Sequence, residues 1–168
     1  MGKCSCLIIK DVNNKYDTEQ ALRNVVSYVV RNKDDEGYIR YWNAYGANNR
    51  SIEKTIRDFK AVQNCYGKAD KKRIRHIIVS FPKTVDDANV AKMVAENVAS
   101  YLFKGYQVVY GVHEKEGNLH IHFAFNPVSF KTGKKWHKSK KEFLEWKCEI
   151  LEIVNSCLEE NGYVSCKL

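Results

Sequence analysis

Three of the five histidines in this chain fall within one short run, from His113 to Asn126. His120 and His122 flank Ile121. On a β-strand, where side chains alternate, both imidazoles would point to one face, and Ile121, Phe123 and Phe125 to the other. Between His113 and His120 lies a polar stretch, Glu114 to Asn118, whose Gly117-Asn118 reads as a hairpin turn. A hairpin would lay the strand ending at His113 beside the strand carrying His120 and His122. Three imidazoles would then converge, and neutral imidazole is a common ligand for a divalent metal. The His-x-His pair alone reads more readily as two half-exposed polar residues; His113 across the hairpin is what favours a metal role. The six cysteines, at 4, 6, 65, 148, 157 and 166, form no C-x-x-C pair, so a Cys/His zinc finger is not expected.

The elements that must position these residues show as periodic patterns. Cys4 to Lys10 reads as a strand, with Cys4 and Cys6 as small core residues on one face. Asp17 to Arg31 reads as a helix capped by Asp17 or Thr18. Its Leu22, Val25, Val26, Val29 and Val30 follow helical spacing, and Tyr28 lies off the centre of that stripe. Asn32 to Gly37 reads as a loop, Tyr38 to Tyr45 as a strand or extended segment, and Ser51 to Cys65 as a second helix. Ile74 to Phe81 is a strand ended by Pro82. Val85 to Phe103 is a helix, Tyr106 to His113 and Leu119 to Val128 are strands, and Ser139 to Asn161 is a long amphipathic helix that Gly162 can end. Tyr163 to Leu168 could start another strand. The order β, α, β, α, β, α, β, β, α predicts an α+β fold: a central, mostly antiparallel β-sheet with flanking helices on one or both faces and the histidines on central strands.

A chain of 168 residues, 44% of them hydrophobic, has the material for a single domain over 1–168 with a substantial core. No run approaches the ~18 apolar residues of a transmembrane helix, so no membrane insertion is expected. The N-terminal apolar stretch is too short for a secretory signal, and position 6 lacks the Ser or Thr of a myristoylation pattern. Free thiols in a reducing cytoplasm are therefore expected. A net charge of +8 and an isoelectric point near 9.1 suit a polyanion, with nucleic acid the default partner. The excess gathers in two clusters. One holds Lys68, Lys71, Lys72, Arg73 and Arg75; the other holds Lys131, Lys134, Lys135, Lys138, Lys140 and Lys141, with Trp136 and His137 embedded in it. Cations interleaved with an aromatic can hold phosphates and stack a base. Lys72, Arg73, Lys131, Lys134, Lys135, Trp136, His137 and Lys138 are the expected DNA contacts.

The residues resemble the relaxase, or mobilisation nuclease, branch of the HUH endonucleases. The family pattern is a histidine, a short turn, then His-hydrophobic-His followed four residues on by Asn; here these are His113, His120-Ile121-His122 and Asn126. Upstream, Arg75 to Phe81 resembles the strand ending in Ser-Phe that precedes the family's long helix. Leu22 to Val30 resembles the N-terminal helix carrying a nucleophilic tyrosine, and Tyr45-Gly46 also fits the family's order. The likeness covers essentially the whole chain. It implies a relaxase-like palm that nicks one strand of single-stranded or hairpin DNA at an origin of transfer. A tyrosine becomes joined to the 5′ phosphate, beside a divalent metal, Mn²⁺ or Mg²⁺, on His113, His120 and His122. It further implies a bacterial cytoplasmic monomer that works with accessory relaxosome and coupling proteins. Many relatives carry further C-terminal domains, so the chain is either a stand-alone nuclease domain or a piece of a longer protein.

By that resemblance the catalytic residues are Tyr28 and His76. Tyr38 and Tyr16 are rival nucleophiles among ten tyrosines. His76 stands where several relatives have an acidic residue that supports a metal-bound histidine. A neutral His76 could accept a hydrogen bond from one ligand or act on the tyrosine proton, or simply be a half-buried strand histidine. Glu114 reads as a solvated turn residue, Asn126 is given no chemistry, and His137 reads as a DNA contact. Two other readings stand beside the relaxase. One is a rolling-circle initiator or transposase with the same His-x-His chemistry, disfavoured because Tyr28 precedes the histidines. The other is a basic nucleic-acid-binding module without catalysis, which leaves the histidines without a role.

Overall fold

In a computed structural model of the chain, ten elements follow one another. They are β1 (Ile8–Asp11), α1 (Glu19–Val30), β2 (Lys33–Asp34), β3 (Gly37–Tyr45), α2 (Ile52–Cys65), β4 (Arg75–Ser80), α3 (Ala88–Leu102), β5 (Val108–Lys115), β6 (Asn118–Phe125) and α4 (Lys140–Glu160). The structure describes residues 5–31, 33–34 and 37–168, with only the backbone of 33, 34, 37 and 38. The strands form one six-stranded sheet in the order β1-β4-β6-β5-β3-β2, each pairing antiparallel. β6 and β5 are innermost, so the histidine-bearing strands sit at the centre of the sheet.

Strand alternation sorts the side chains into two layers. Ile77, Val79, Tyr110, Val112, Ile121, Phe123 and Phe125 face α3 and α4, and meet Val94, Val98, Trp146, Ile150 and Val154 there. The other face is covered by α1 and α2, whose Leu22, Val26, Val29, Ile56 and Phe59 pack on Val109 and Ala124. Helices therefore cover both faces, and the α+β expectation holds. Each helix starts on a side-chain oxygen that accepts from an otherwise orphaned backbone N–H: Thr18, Ser51, Asp87 and Ser139. Ser139 and Glu142 form a reciprocal capping box.

Several boundaries move for local reasons. The turn between the histidine strands is shorter than Glu114 to Asn118. Glu116 and Gly117 both adopt positive φ, 50° and 74°, the signature of a two-residue hairpin turn that matches strand twist, so both strands run up to it. The expected loop at 32–37 contributes a short strand, Lys33 and Asp34 pairing with Tyr38 and Gly37. Cys6 is exposed, not core, because strand alternation turns Leu7 and Ile9 inward and Cys6 and Ile8 outward; a single parallel bridge joins Cys6 to Lys167. That bridge is all that the C-terminal strand amounts to, and Cys4 lies outside the described residues. Val85 to Asp87 precede α3, which starts after its Asp87 cap. No helix among the described residues is long and apolar enough to cross a membrane.

Candidate active site

His113 on β5 stands directly opposite His120 on β6, and His122 stands opposite Ile78 on β4. Alternation puts His76, His113, His120 and His122 on the α1 face. One nitrogen from each of His113, His120 and His122 lies within 4.8 Å of the others. Each ring is oriented through a hydrogen-bond contact. His113 Nε2 lies 2.8 Å from the Val29 carbonyl oxygen, and His120 Nδ1 lies 3.2 Å from that of Asn118. His122 Nδ1 lies 2.8 Å from His76 Nε2. Fixing one nitrogen in this way sets the tautomer and the ring orientation of a metal-binding histidine. His122 Nε2 is buried and has no hydrogen-bond partner among the described residues. A buried lone pair without a partner is costly, and His122 together with the imidazoles of His113 and His120 at this spacing fits a divalent cation.

The electrostatics keep His76 and His122 neutral. Burial pushes His76 down to about 4, with His113 adding to the effect. Burial, and after it His76, His113 and His120, hold His122 far below the ordinary imidazole range. Neutral imidazole is the form that ligates metal.

Gly111 brings the tyrosine to the histidines. It lies on β5, two residues before His113 on the same face. A Cβ there would sit 2.2 Å from the Val29 carbonyl oxygen, so only glycine lets α1 lie directly on the sheet. Tyr28, beside Val29 on α1, is thereby set among the rings. Its centroid is 5.1 Å from His122, 6.0 Å from His113 and 6.2 Å from His76. The Arg31 guanidinium, one helical turn on, lies 4.4 Å over the Tyr28 ring. A glycine inside an apolar strand pattern signals a close approach; Gly111 carried that signal and the reading of the sequence passed over it.

Two grooves meet at this point. One, of about 740 Å³, is lined by residues including Lys10, Val12, Tyr16, Asn24, Arg31, Ile52 and His76. The other, of about 470 Å³, is lined by Ser80, Lys83, Lys115, Asn118 and His120 among others. Tyr28, Ile78 and His122 border both. The cations beside the histidines are thus Lys10, Arg31, Lys83 and Lys115, none of which the charge clusters had flagged. The spacing of Tyr28 and Arg31, three residues apart with Arg31 as the C-cap of α1, was the available signal for Arg31.

The expected DNA contacts fall elsewhere. The loop with Lys131 to Lys138 leaves β6 at its Phe125 end, roughly 16 Å along the strand from His120 at ~3.3 Å per residue, and so lies nearer to His76, which pairs with Ala124, than to His113 and His120. Here the two basic clusters join: Lys68 Nζ donates to the Gly133 carbonyl oxygen, and Lys135 Nζ lies 4.0 Å from an Asp70 carboxylate oxygen. Lys131, Lys134 and His137 are exposed and Lys138 is half-buried. Lys72 Nζ donates to Asn13 Oδ1 at 3.0 Å. Arg73 and Trp136 depart from expectation. Arg73 is buried, and its guanidinium donates to Gln63 Oε1 and the Ala69 carbonyl oxygen. Trp136 packs on Phe125, Phe143 and Trp146, with Arg75 4.5 Å over its ring, so it closes the core instead of offering a stacking face.

Asn126 is fully buried. It donates to the Phe59 carbonyl oxygen and Gln107 Oε1, and accepts from Gln63 Nε2 and Val128 N. It ties α2 to the sheet. Glu114 pairs with Arg40 across β3 and β5. Of the rival tyrosines, Tyr16 lines the larger groove. Tyr38 lies on β3 with its side chain outside the described residues.

A family model described as the nuclease domain of MobA/VirD2-like relaxases matches residues 28–156, from the tyrosine on α1 to the last turns of α4. The chain belongs to this relaxase family. Protein rlx of Staphylococcus aureus is 27% identical over 93 residues, which are 55% of this chain and 28% of that protein. The match thus spans little more than a quarter of that relative's length. A solved structure from work on the molecular basis of vancomycin resistance transfer in Staphylococcus aureus superposes with a TM-score of 0.63 at 19% identity, over 98% of both chains. The likeness in fold thus covers nearly the whole chain.

Proposed function

We propose that this relaxase domain nicks and rejoins one strand of DNA at the origin of transfer of a mobile element, with Tyr28 as nucleophile. The observation that carries the reading is the Tyr28 ring, set among His76, His113 and His122 by an α1 that Gly111 lets down onto the sheet. In the reaction the Tyr28 hydroxyl oxygen bonds to phosphorus and the bond to the 3′ oxygen breaks. The phenolic proton is lost, and the 3′ oxygen gains one to become a free hydroxyl. The reverse attack by a 3′ hydroxyl rejoins the strand. A phenol with an ordinary pKa near ~10 needs help to act as a nucleophile near neutral pH.

His113, His120 and His122 would hold a divalent cation, Mn²⁺ or Mg²⁺. Bound there, it supplies positive charge for the non-bridging phosphate oxygens, where charge builds in the transition state. His76 acts on His122: with its Nε2 lone pair it accepts the His122 Nδ1 proton and fixes which nitrogen His122 presents. It takes the place of a carboxylate without adding negative charge. This makes His76 a positioning residue. Substrate is single-stranded or hairpin DNA, and the domain works as a monomer with accessory relaxosome and coupling proteins in a bacterial cytoplasm. The five cysteines among the described residues are free thiols, which suits that compartment.

The deciding experiment is mass spectrometry of a covalent peptide–oligonucleotide adduct formed on a strand carrying the origin. Tyr28→Phe removes only the hydroxyl, so the adduct disappears while the fold and DNA binding remain. An adduct that survives Tyr28→Phe and is lost in Tyr16→Phe or Tyr38→Phe would move the nucleophile. A strand cut without any adduct would replace the transferase with a hydrolase.

A further inference from the structure

Tyr16 has a backbone φ of 43°, in the left-handed region; Glu116, the other such non-glycine residue described, has the β5–β6 turn to account for it. A bulky aromatic side chain avoids this conformation, whereas Gly or Asn adopts it readily. The surroundings hold Tyr16 in place. Arg73 N donates to the Tyr16 carbonyl oxygen at 2.7 Å, and the Arg73 guanidinium is itself anchored on Gln63 and Ala69. Asn14 Nδ2 donates to the Tyr16 hydroxyl at 3.1 Å. The strained backbone delivers an aromatic ring to the wall of the larger groove, which Val12, Ile52 and Ile78 also line. One edge of the ring packs with the core beneath α1 and α2, but the backbone by itself would be better served by Asn. Strain of this kind gathers where a side chain has a task.

The groove has the chemistry of one ligand class. Its walls are mainly apolar, Lys10 and Arg31 border it, and it opens directly onto Tyr28, His76 and His122. Apolar walls with an aromatic face and cations nearby suit a nucleobase whose phosphates rest on the cations. A base stacked inside a duplex cannot enter. We propose that this groove is a subsite for one unpaired nucleobase of the scissile strand, next to the phosphate handled at Tyr28, and that Tyr16 is its stacking face. The proposal rests on the nicking reading above. It reassigns Tyr16 from rival nucleophile to binding residue.

The test compares two labelled single strands of about twelve units, within the range such sites cover. One is a thymidine homo-oligonucleotide; the other has the same backbone with base-free tetrahydrofuran sugars. Fluorescence anisotropy at low salt gives the affinity ratio. The wild-type chain prefers the base-bearing strand roughly tenfold, the size of one stacked base. Tyr16→Ala and Tyr16→Asn bring the ratio close to one, and Tyr16→Phe keeps it. Both strands are titrated on one preparation, so unfolded protein lowers both affinities alike and leaves the ratio unmoved. Both substitutions give up the packing of the ring on the core, but Asn relieves the backbone, so the Tyr16→Asn chain melts higher than Tyr16→Ala. A wild-type ratio near one, or an Ala variant with the wild-type ratio, overturns the subsite. The adduct experiment is a separate readout. Base preference without an adduct removes the nicking reading and leaves the subsite. An adduct with a Tyr16-independent ratio does the reverse.

Discussion

The two faces of β6 put the same backbone to opposite uses. On one face Ile121, Phe123 and Phe125 are fully buried beneath α3 and α4, in contact with Phe103, Tyr110 and Trp136. On the other, His120 and His122 meet His76, His113 and Tyr28 around a buried nitrogen without a partner. The first face removes apolar surface from water and stabilises the fold. The second desolvates imidazoles that would be better hydrated in the unfolded chain, and so costs stability. The difference separates holding the sheet from doing chemistry on it, within one strand of alternating residues.

The largest expected effect tests that separation directly. Phe123→Ala leaves a cavity between α3 and the sheet and should cost about 3–5 kcal/mol, read by urea denaturation. His122→Ala removes an imidazole whose orphaned nitrogen carries a penalty of about 1–3 kcal/mol, which offsets most of the lost packing. Its stability should stay within about 1 kcal/mol of wild type, while Mn²⁺ binding by calorimetry disappears. If His122→Ala is as destabilising as Phe123→Ala, the histidine face is core and the comparison breaks.

Acid sharpens the same contrast. In the unfolded chain an imidazole takes up a proton near 6.5; in the fold His76 resists until about 4, and His122 lies lower still. Below pH 6.5 the unfolded state therefore binds more protons, and stability falls as pH falls. Both folded values are depressed, so the contribution is present above 6.5 and is lost on the acid side. Metal-free protein should lose roughly 2–3 kcal/mol for each of the two rings between pH 6.5 and 4, seen as a falling urea midpoint. Phe123→Ala should keep that slope on a lower baseline, and His76→Gln should roughly halve it. A flat profile for the wild type would mean that the rings are charged or hydrated in the fold.

How much of this the sequence disclosed follows the same division. The apolar stripes of α1 and α4 and the alternation around Ile121 recur at fixed periods, so the elements and their buried sides were legible. The hairpin pattern in the sequence sets His113 beside His120, as the register has them. The tight turn was misjudged because a positive φ at Glu116 follows from strand twist, not from its residue type. The groove could not be read, because Lys10, Arg31, Lys83 and Lys115 are far apart in sequence and meet only when β1, α1 and the β5–β6 hairpin close around β4. Charge clusters do not tell which of their residues face water, for a physical reason. Arg73 and Trp136 sit in a dense basic run, yet one is drawn inward by Gln63 and the other by Phe125, and a run of like residues does not say which of them face water.

The smallest expected effect compares the two ends of β6 through salt. Each lost single-strand phosphate contact should flatten the log–log salt slope of binding by about 0.7, so a triple substitution is worth about two. For a short single strand the groove cations should carry the slope, because Lys10, Lys83 and Lys115 border the space around Tyr28. Replacing these three by Gln should flatten it by about two. Replacing Lys131, Lys134 and Lys138 should leave the short strand nearly unaffected, since that loop lies at the far end of the sheet. With a longer strand or a hairpin able to span both ends, the loop variant should acquire a slope change of its own, up to about two. The comparison is made at matched temperature and pH, with the salt concentration as the only variable. If the loop triple flattens the short-strand slope as much as the groove triple does, the strand runs across the basic loop, and the grooves beside Tyr28 are not its path.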